Sequence, residues 1–363
     1  MVFVVLPGQV YVQRHRGYEA VALTGLGGLG GLAALAFMVP VASRWLPVIR
    51  EIVQPHLNWI LWTVIAYVRL SEWPKGTGRA PAGWRRLWDG WQSLLAGWVT
   101  FLLSGLLGLI LMYRSPLPVS VAYQGFLPAF VGLFAVPWVV LNLLSRANAP
   151  PQIVPRSLDA PWRAVWQGTA AGALGGLFAA FFPVVTGGIG GLLAGHATAQ
   201  RDERAFLISQ GAAKLVTYVG GFLLFFVPGL HLTRGGMAWM VSTRYTPVTP
   251  SMYVLATGAA LLAGGLAFWL SLGLARVIIM LLRDVSLQTV SWGTLAVLLG
   301  VVGGLTGWTG LGICLVASGI GMIPVLWGSR RMNAMGVLLL PIALNMSGAG
   351  AWVAGVLRLL NGS

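Results

Sequence analysis

Residues Trp162–Ala199 read WRAVWQGTAAGALGGLFAAFFPVVTGGIGGLLAGHATA. After Arg163 the stretch carries no formal charge, and Pro183 splits it into two Gly-rich halves. Glycine clusters cradle phosphates in some soluble enzymes. Here there is no G-x-x-x-x-G-K-[ST], and no G-x-G-x-x-G follows a soluble strand. The small residues instead recur at helical spacing: Gly168, Gly172 and Gly176 before the proline, and Gly187, Gly191 and Gly195 after it. Such stripes let two helix backbones approach closely inside a bilayer.

The rest of the chain agrees with a bilayer. Of 363 residues, 57% are hydrophobic and 9% charged, with mean hydropathy +0.81. A soluble domain is about 25% charged. Apolar runs recur at Tyr18–Val41, Pro55–Leu70, Trp91–Tyr113, Ala122–Leu144, Trp162–Phe182, Pro183–Ala199, Phe206–Val227, Met252–Met280, Thr289–Gly304, Trp308–Trp327 and Met335–Leu357. They are too long and too evenly apolar for the alternating strands of a barrel. The expected fold is an all-α polytopic membrane protein with roughly 9–11 transmembrane or half-membrane helices. Pro183 makes Trp162–Ala199 a broken or re-entrant hairpin, or two short crossings; both return the chain to its starting side.

The formal charge of +15 would suit a nucleic-acid binder, but the basic residues are scattered a few per loop. With the spans above, sixteen fall on one side; Arg44, Arg50, Arg114, Arg234, Arg244 and Arg358 fall on the other. The positive-inside rule makes the first side cytoplasmic, with the N-terminus inside and the C-terminus outside. Lys214 alone is left within a span. The eight carboxylates lie in loops or at span ends, which argues against a carboxylate proton relay or an acidic channel filter. Cys314 is the single cysteine and the four histidines are dispersed, so neither a disulfide framework nor a metal centre is expected. No nucleophile–base set points to an enzyme. The tryptophans of Ser71–Trp91 are expected to anchor at the headgroup level, in contact with lipid.

A weak internal repeat is visible. LPGQVYVQRHRGYEAV precedes TGLGGLGGLAALAF near the start, and VPGLHLTRGGMAW precedes TGAALLAGGLAF later. The charge count puts Arg16 inside and Arg234 outside, as two inverted-topology repeats would. The expected division is a first membrane repeat over 1–145, a Pro-rich connection over 146–162 and a second repeat over 163–363.

For the site, Pro183 and Gly187–Gly188 weaken helix continuation, and Thr186 stands at an N-cap-like position. A half-helix starting there would aim free N–H groups at an anion. Close helix packing is the plain alternative. Lys214 in FLISQGAAKLVTYVGG is costly in an apolar span and would face a cavity, unless it snorkels to the interface. Thr217, nearly one turn on, would share its face, and His196 would add a hydrogen bond or simply mark an interface.

The pieces LPGQVYVQRHRGYEAVALTGLGGLGG, GTAAGALGGLFAAFFPVVTGGIGG, RDERAFLISQGAAKL, TRGGMAW and GMIPVLWGSRRMNAMGVLLLP occur in this order along the chain. Together they resemble the large membrane subunit family of tripartite tricarboxylate transporters, in its shorter archaeal-type branch. The resemblance implies a permease with inverted repeats that moves carboxylates with an ion gradient, of sodium or protons. It also implies a small membrane subunit and an extracytoplasmic binding protein as partners. In the family a Gly-Pro-Gly-type motif marks each half. The first would precede Met1, so an N-terminal portion is expected to be missing; the second is altered after Pro183. Lys214 stands where relatives have small or polar residues. The resulting expectation is secondary transport of a small organic anion by alternating access. Translocation of a polyprenyl phosphate or similar anionic lipid, and a non-transporting membrane scaffold, are the alternatives.

Overall fold

The computed structural model describes residues 5–70, 83–118, 125–145, 150–155, 157–182, 185, 187–198, 202–247, 249–281 and 285–359. No strand occurs among them. In chain order the helices are α1 (Val5–Gln13), α2 (Gly17–Val53), α3 (Leu57–Leu70), α4 (Trp84–Tyr113), α5 (Leu127–Phe130), α6 (Val136–Ser145), α7 (Trp162–Phe181), α8 (Gly187–Thr198), α9 (Glu203–Leu215), α10 (Gly221–Leu223), α11 (Gly235–Ser242), α12 (Pro250–Leu281), α13 (Leu287–Leu326), α14 (Gly336–Met346) and α15 (Gly350–Val356). A π turn at Val131–Ala135 joins α5 to α6, and another at Val216–Gly220 joins α9 to α10.

Six described helical stretches are long and apolar enough to cross a membrane, and a bent pair at the C-terminal end would make a seventh. Many of their large apolar side chains face outward. Along α12, Leu255, Leu262, Leu266 and Trp269 are all exposed. A surface of that kind is stable against lipid and not against water. The chain is an all-α polytopic membrane protein.

Several expected span boundaries change. The loop expected after Val41 is helical: α2 runs on to Val53 despite Pro40 and Pro47, and a 3₁₀ turn at Gln54–His56 leads straight into α3. The expected division between Thr289–Gly304 and Trp308–Trp327, by contrast, is kept: within Leu287–Leu326 the helix breaks at Gly307. A β-carbon on Gly303 would lie 3.3 Å from the Leu311 side chain. Eight residues of straight helix would separate these positions by about 12 Å, so the chain bends sharply here. Met335–Leu357 is not one straight helix: the segments Arg331–Met346 and Gly350–Val356 meet at 113°, as a broken span or a re-entrant loop would. Gly348, at φ 78°, makes that turn. The segment expected to cross as Pro183–Ala199 contains α8, whose 12 residues rise only about 18 Å, short of the ~30 Å hydrocarbon core.

The chain forms two compact units, each discontinuous in sequence and each drawing on both sequence halves. One holds residues 3–57 and 149–284; its centre is α9, packed between α2 and α7, with α8 against α7 and α9 and α12 against α2. Glycine sets these distances. A β-carbon on Gly27 would lie 1.9 Å from the Ile208 carbonyl oxygen, and one on Gly211 1.9 Å from that of Thr24. Positions Gly168, Gly172 and Gly176 meet the carbonyl oxygens of Ala205, Ser209 and Ala213 at 2.6, 2.3 and 2.8 Å. The other unit holds residues 58–148 and 285–363, with α14 on α4 and α13 on the α5–α6 segment. There Gly108 meets the Val337 carbonyl oxygen at 1.9 Å and Gly132 that of Cys314 at 2.4 Å.

Two arginines counted above as loop charges are buried in this second unit: Arg69 is 6% exposed and Arg330 8%. Arg69 donates from Nη1 to Asn333 Oδ1 (2.5 Å), and its guanidinium lies 4.2 Å from the Trp98 ring centroid. Asn333 in turn donates to Ser329 Oγ at 2.9 Å. An aromatic face and amide oxygens replace water around the charge.

Gly27→Ala and Gly211→Ala are expected to lower stability by about 1–3 kcal/mol through overpacking. Gly258→Ala, in α12 with nothing within 4 Å of the new β-carbon, is the neutral control. Detergent-solubilised thermal denaturation midpoints check this. Gly307 has φ 65° and ψ −163° with open space around it. That backbone region is essentially restricted to glycine, so Gly307→Ala is expected to cost about 1–3 kcal/mol by strain alone, seen in the same measurement.

Candidate functional site

Asp202 starts α9 by accepting a hydrogen bond from the Arg204 backbone N–H at 2.9 Å. From Glu203 the helix rises about 16 Å to Lys214 at 1.5 Å per residue. This places the lysine near the middle of the candidate span Glu203–Leu223. The side chain is exposed and lines an open groove of about 810 Å³ within the first unit. One face of α2 supplies Thr24, Gly25 and Gly28; α9 supplies Leu207, Gln210 and Lys214; and α12 supplies Phe268 and Ser271. The glycines of TGLGGLGG (24–31) let α9 and α12 lie close on α2: a Gly25 β-carbon would sit 2.7 Å from the Phe268 ring.

Three carboxylates of this unit are engaged elsewhere. Glu19 is buried and takes Arg16 at 2.6 Å, Glu203 takes Arg14 at 3.1 Å, and Asp159 takes Arg204. Among the described residues no carboxylate pairs with Lys214, and no acidic side chain lines the groove. An ammonium in an apolar span, open to a groove and lacking a counter-ion, attracts an anion.

The remaining sequence candidates lie elsewhere. Thr217 does not share the groove. Its hydroxyl donates to Ala213 O at 2.7 Å, and its side chain abuts Gly187 of α8 on the opposite flank of the helix. Gly187 is buried and Gly188 exposed at the start of α8. Pro183 and Thr186 lie outside the described residues, as does the side chain of His196. Gly191 faces α9, where a β-carbon would stand 2.5 Å from Gln210 Oε1; Gly195 faces the Phe206 ring at 3.1 Å.

Two polar residues were not singled out from sequence. Gln210 is buried, lines the groove and donates from Nε2 to Gly191 O at 3.0 Å, so it ties the groove wall to α8. Arg234 packs its β-carbon against Gly221 and donates from Nη2 to Phe181 O at 2.5 Å, closing the C-terminal end of α7. Burial pushes its guanidinium down to about 10, so it stays charged at neutral pH. A glutamine in QGAAK looks ordinary, and Arg234, part of the repeat stretch VPGLHLTRGGMAW, reads there as a loop charge until its neighbours are known. In the repeat motifs, His15 and His231 both adopt positive φ (64° and 43°) and both point Nδ1 at a backbone carbonyl, Pro151 O and Phe225 O, at 2.6 and 3.3 Å.

Gly-packed helices with apolar outer faces define the class as a polytopic membrane protein. The family model described as "Tripartite tricarboxylate transporter TctA family" matches residues 1–336 of the chain, and the chain belongs to that family. No curated protein and no solved structure matches it.

Gln210→Leu should lower stability by about 1 kcal/mol through loss of the bond to Gly191. A denaturation midpoint that does not move would show that this contact does not hold α8.

Proposed function

We propose that the chain is a secondary-transport permease for a small organic anion of the carboxylate class, and that Lys214 binds the anion. The observation that carries this is the Lys214 ammonium, midway along a membrane span and facing a groove without a carboxylate partner. Gln210, Thr24, Ser271 and Tyr218 are the other polar side chains of the described wall. Thr186, Gly187 and Gly188, with the positive end of α8, would form a separate contact for the anion's passage, supported by Thr217 and His196. Alternating access would come from rocking of inverted repeats, driven by a sodium or proton gradient. Family membership supports a small membrane subunit and an extracytoplasmic binding protein as partners. A cytoplasmic N-terminus is part of this proposal and rests on the charge count over the spans expected from sequence.

Uptake of labelled carboxylates into proteoliposomes tests this reading. Lys214→Gln is expected to reduce uptake at least about tenfold, the loss of roughly one charge-assisted contact. Lys214→Arg should retain part of it. Absence of uptake of any carboxylate under both sodium and proton gradients, with the partner subunits present, would count against transport.

A further inference from the structure

Resting on Lys214 as the binding site, we infer that the groove selects a carboxylate with one negative charge and an apolar body, rather than a di- or tricarboxylate. Charge comes first. Lys214 is the only Lys, Arg or His among the described lining residues. One ammonium neutralises one carboxylate. A second or third would sit about 16 Å into the span with no counter-charge, where ions are strongly disfavoured.

The hydrogen-bond inventory points the same way. Anions need donors, and the groove's aliphatic hydroxyls have theirs committed; besides Lys214, the described lining offers only neutral donors, the Tyr218 hydroxyl and one Gln210 N–H, which carry no counter-charge. Thr24 donates its hydroxyl proton to Ala20 O at 2.8 Å, and Ser271 donates to Phe268 O at 2.7 Å. Gln210 uses one of its two amide N–H donors on Gly191 O. Thr24 and Ser271 therefore turn lone pairs to the groove, which repel further carboxylate oxygens and suit a substrate hydroxyl or a water. Beyond these, the walls are mostly apolar, among them Leu207, Val219 and Phe268. A volume of about 810 Å³ exceeds what a compact polyanion needs and leaves room for an aliphatic or aromatic body.

The sequence provides a direct probe. Lys75 and Lys214 are the two lysines of the chain. In full-length Lys75→Arg protein in nanodiscs, Lys214 is the sole lysine, and its acetylation by a small amine-reactive reagent can be followed by peptide mass spectrometry. Hexanoate is expected to slow this labelling at least about fivefold, while citrate and hexanol at the same concentration leave it unchanged. Protection by citrate equal to that by hexanoate would overturn the inference, as would no protection by hexanoate. Labelling already blocked in phosphatidylglycerol nanodiscs but not in phosphatidylcholine ones would assign the groove to a lipid phosphate and overturn it too. Lys214→Gln in a hexanoate-binding titration is the second arm, with loss of detectable binding expected. Hexanoate protection without uptake of any carboxylate would sink the transport reading and leave this one standing. Citrate uptake with citrate protection would do the reverse.

Discussion

Glycine-mediated contact of backbone with backbone is the constraint on which the structure depends. In lipid there is little hydrophobic force between helices, since a neighbouring helix is no more apolar than an acyl chain. Association must come from close van der Waals approach. Both units solve this identically: an α-carbon without a side chain is seated against a carbonyl oxygen of the next helix. Gly27 and Gly211 do so reciprocally between α2 and α9, and Gly108 and Gly132 do so in the other unit. The wide outer surfaces are left to bulky side chains that meet lipid, as along α12.

The groove follows from the same constraint. Where α9 lies hard against α2 there is no room for a side chain at Gly27. A long side chain on α9 therefore has to leave the contact, and Lys214 leaves it towards the space between α2 and α12. Glu19, Asp159 and Glu203 pair with Arg16, Arg204 and Arg14, and none of them lines the groove. The buried Arg69 of the other unit shows the contrasting solution, in which an aromatic face and an amide enclose the cation. One cation, counted in sequence as a loop charge, is enclosed by protein; the other, within a span, opens to the groove.

The membrane class, the helical fold and the glycine spacing were legible in the residue order, because composition and period alone carry them. The break within residues 287–326 was legible too: VVGGLTGW offers glycines exactly where the backbone at Gly307 needs a left-handed φ. The continuity of α2 through Pro40 and Pro47 was not legible, since prolines and arginines in an apolar stretch read as a loop. The sharp turn at Gly348 escaped for the opposite reason: one glycine within an apolar run carries no signal of an angle.

By itself the sequence determined that Lys214 is a charge inside a membrane span, because an apolar run around a lysine needs no partner to be recognised. It could not say which way the lysine faces. Thr217 lies almost one turn away and falls against α7 and α8, while Lys214 opens to α2 and α12. Gln210, unremarkable in sequence, joins the groove wall to α8. Those assignments depend on which neighbour occupies each flank of α9. Such distances between residues far apart in the chain are set by tertiary packing, and no local pattern encodes them.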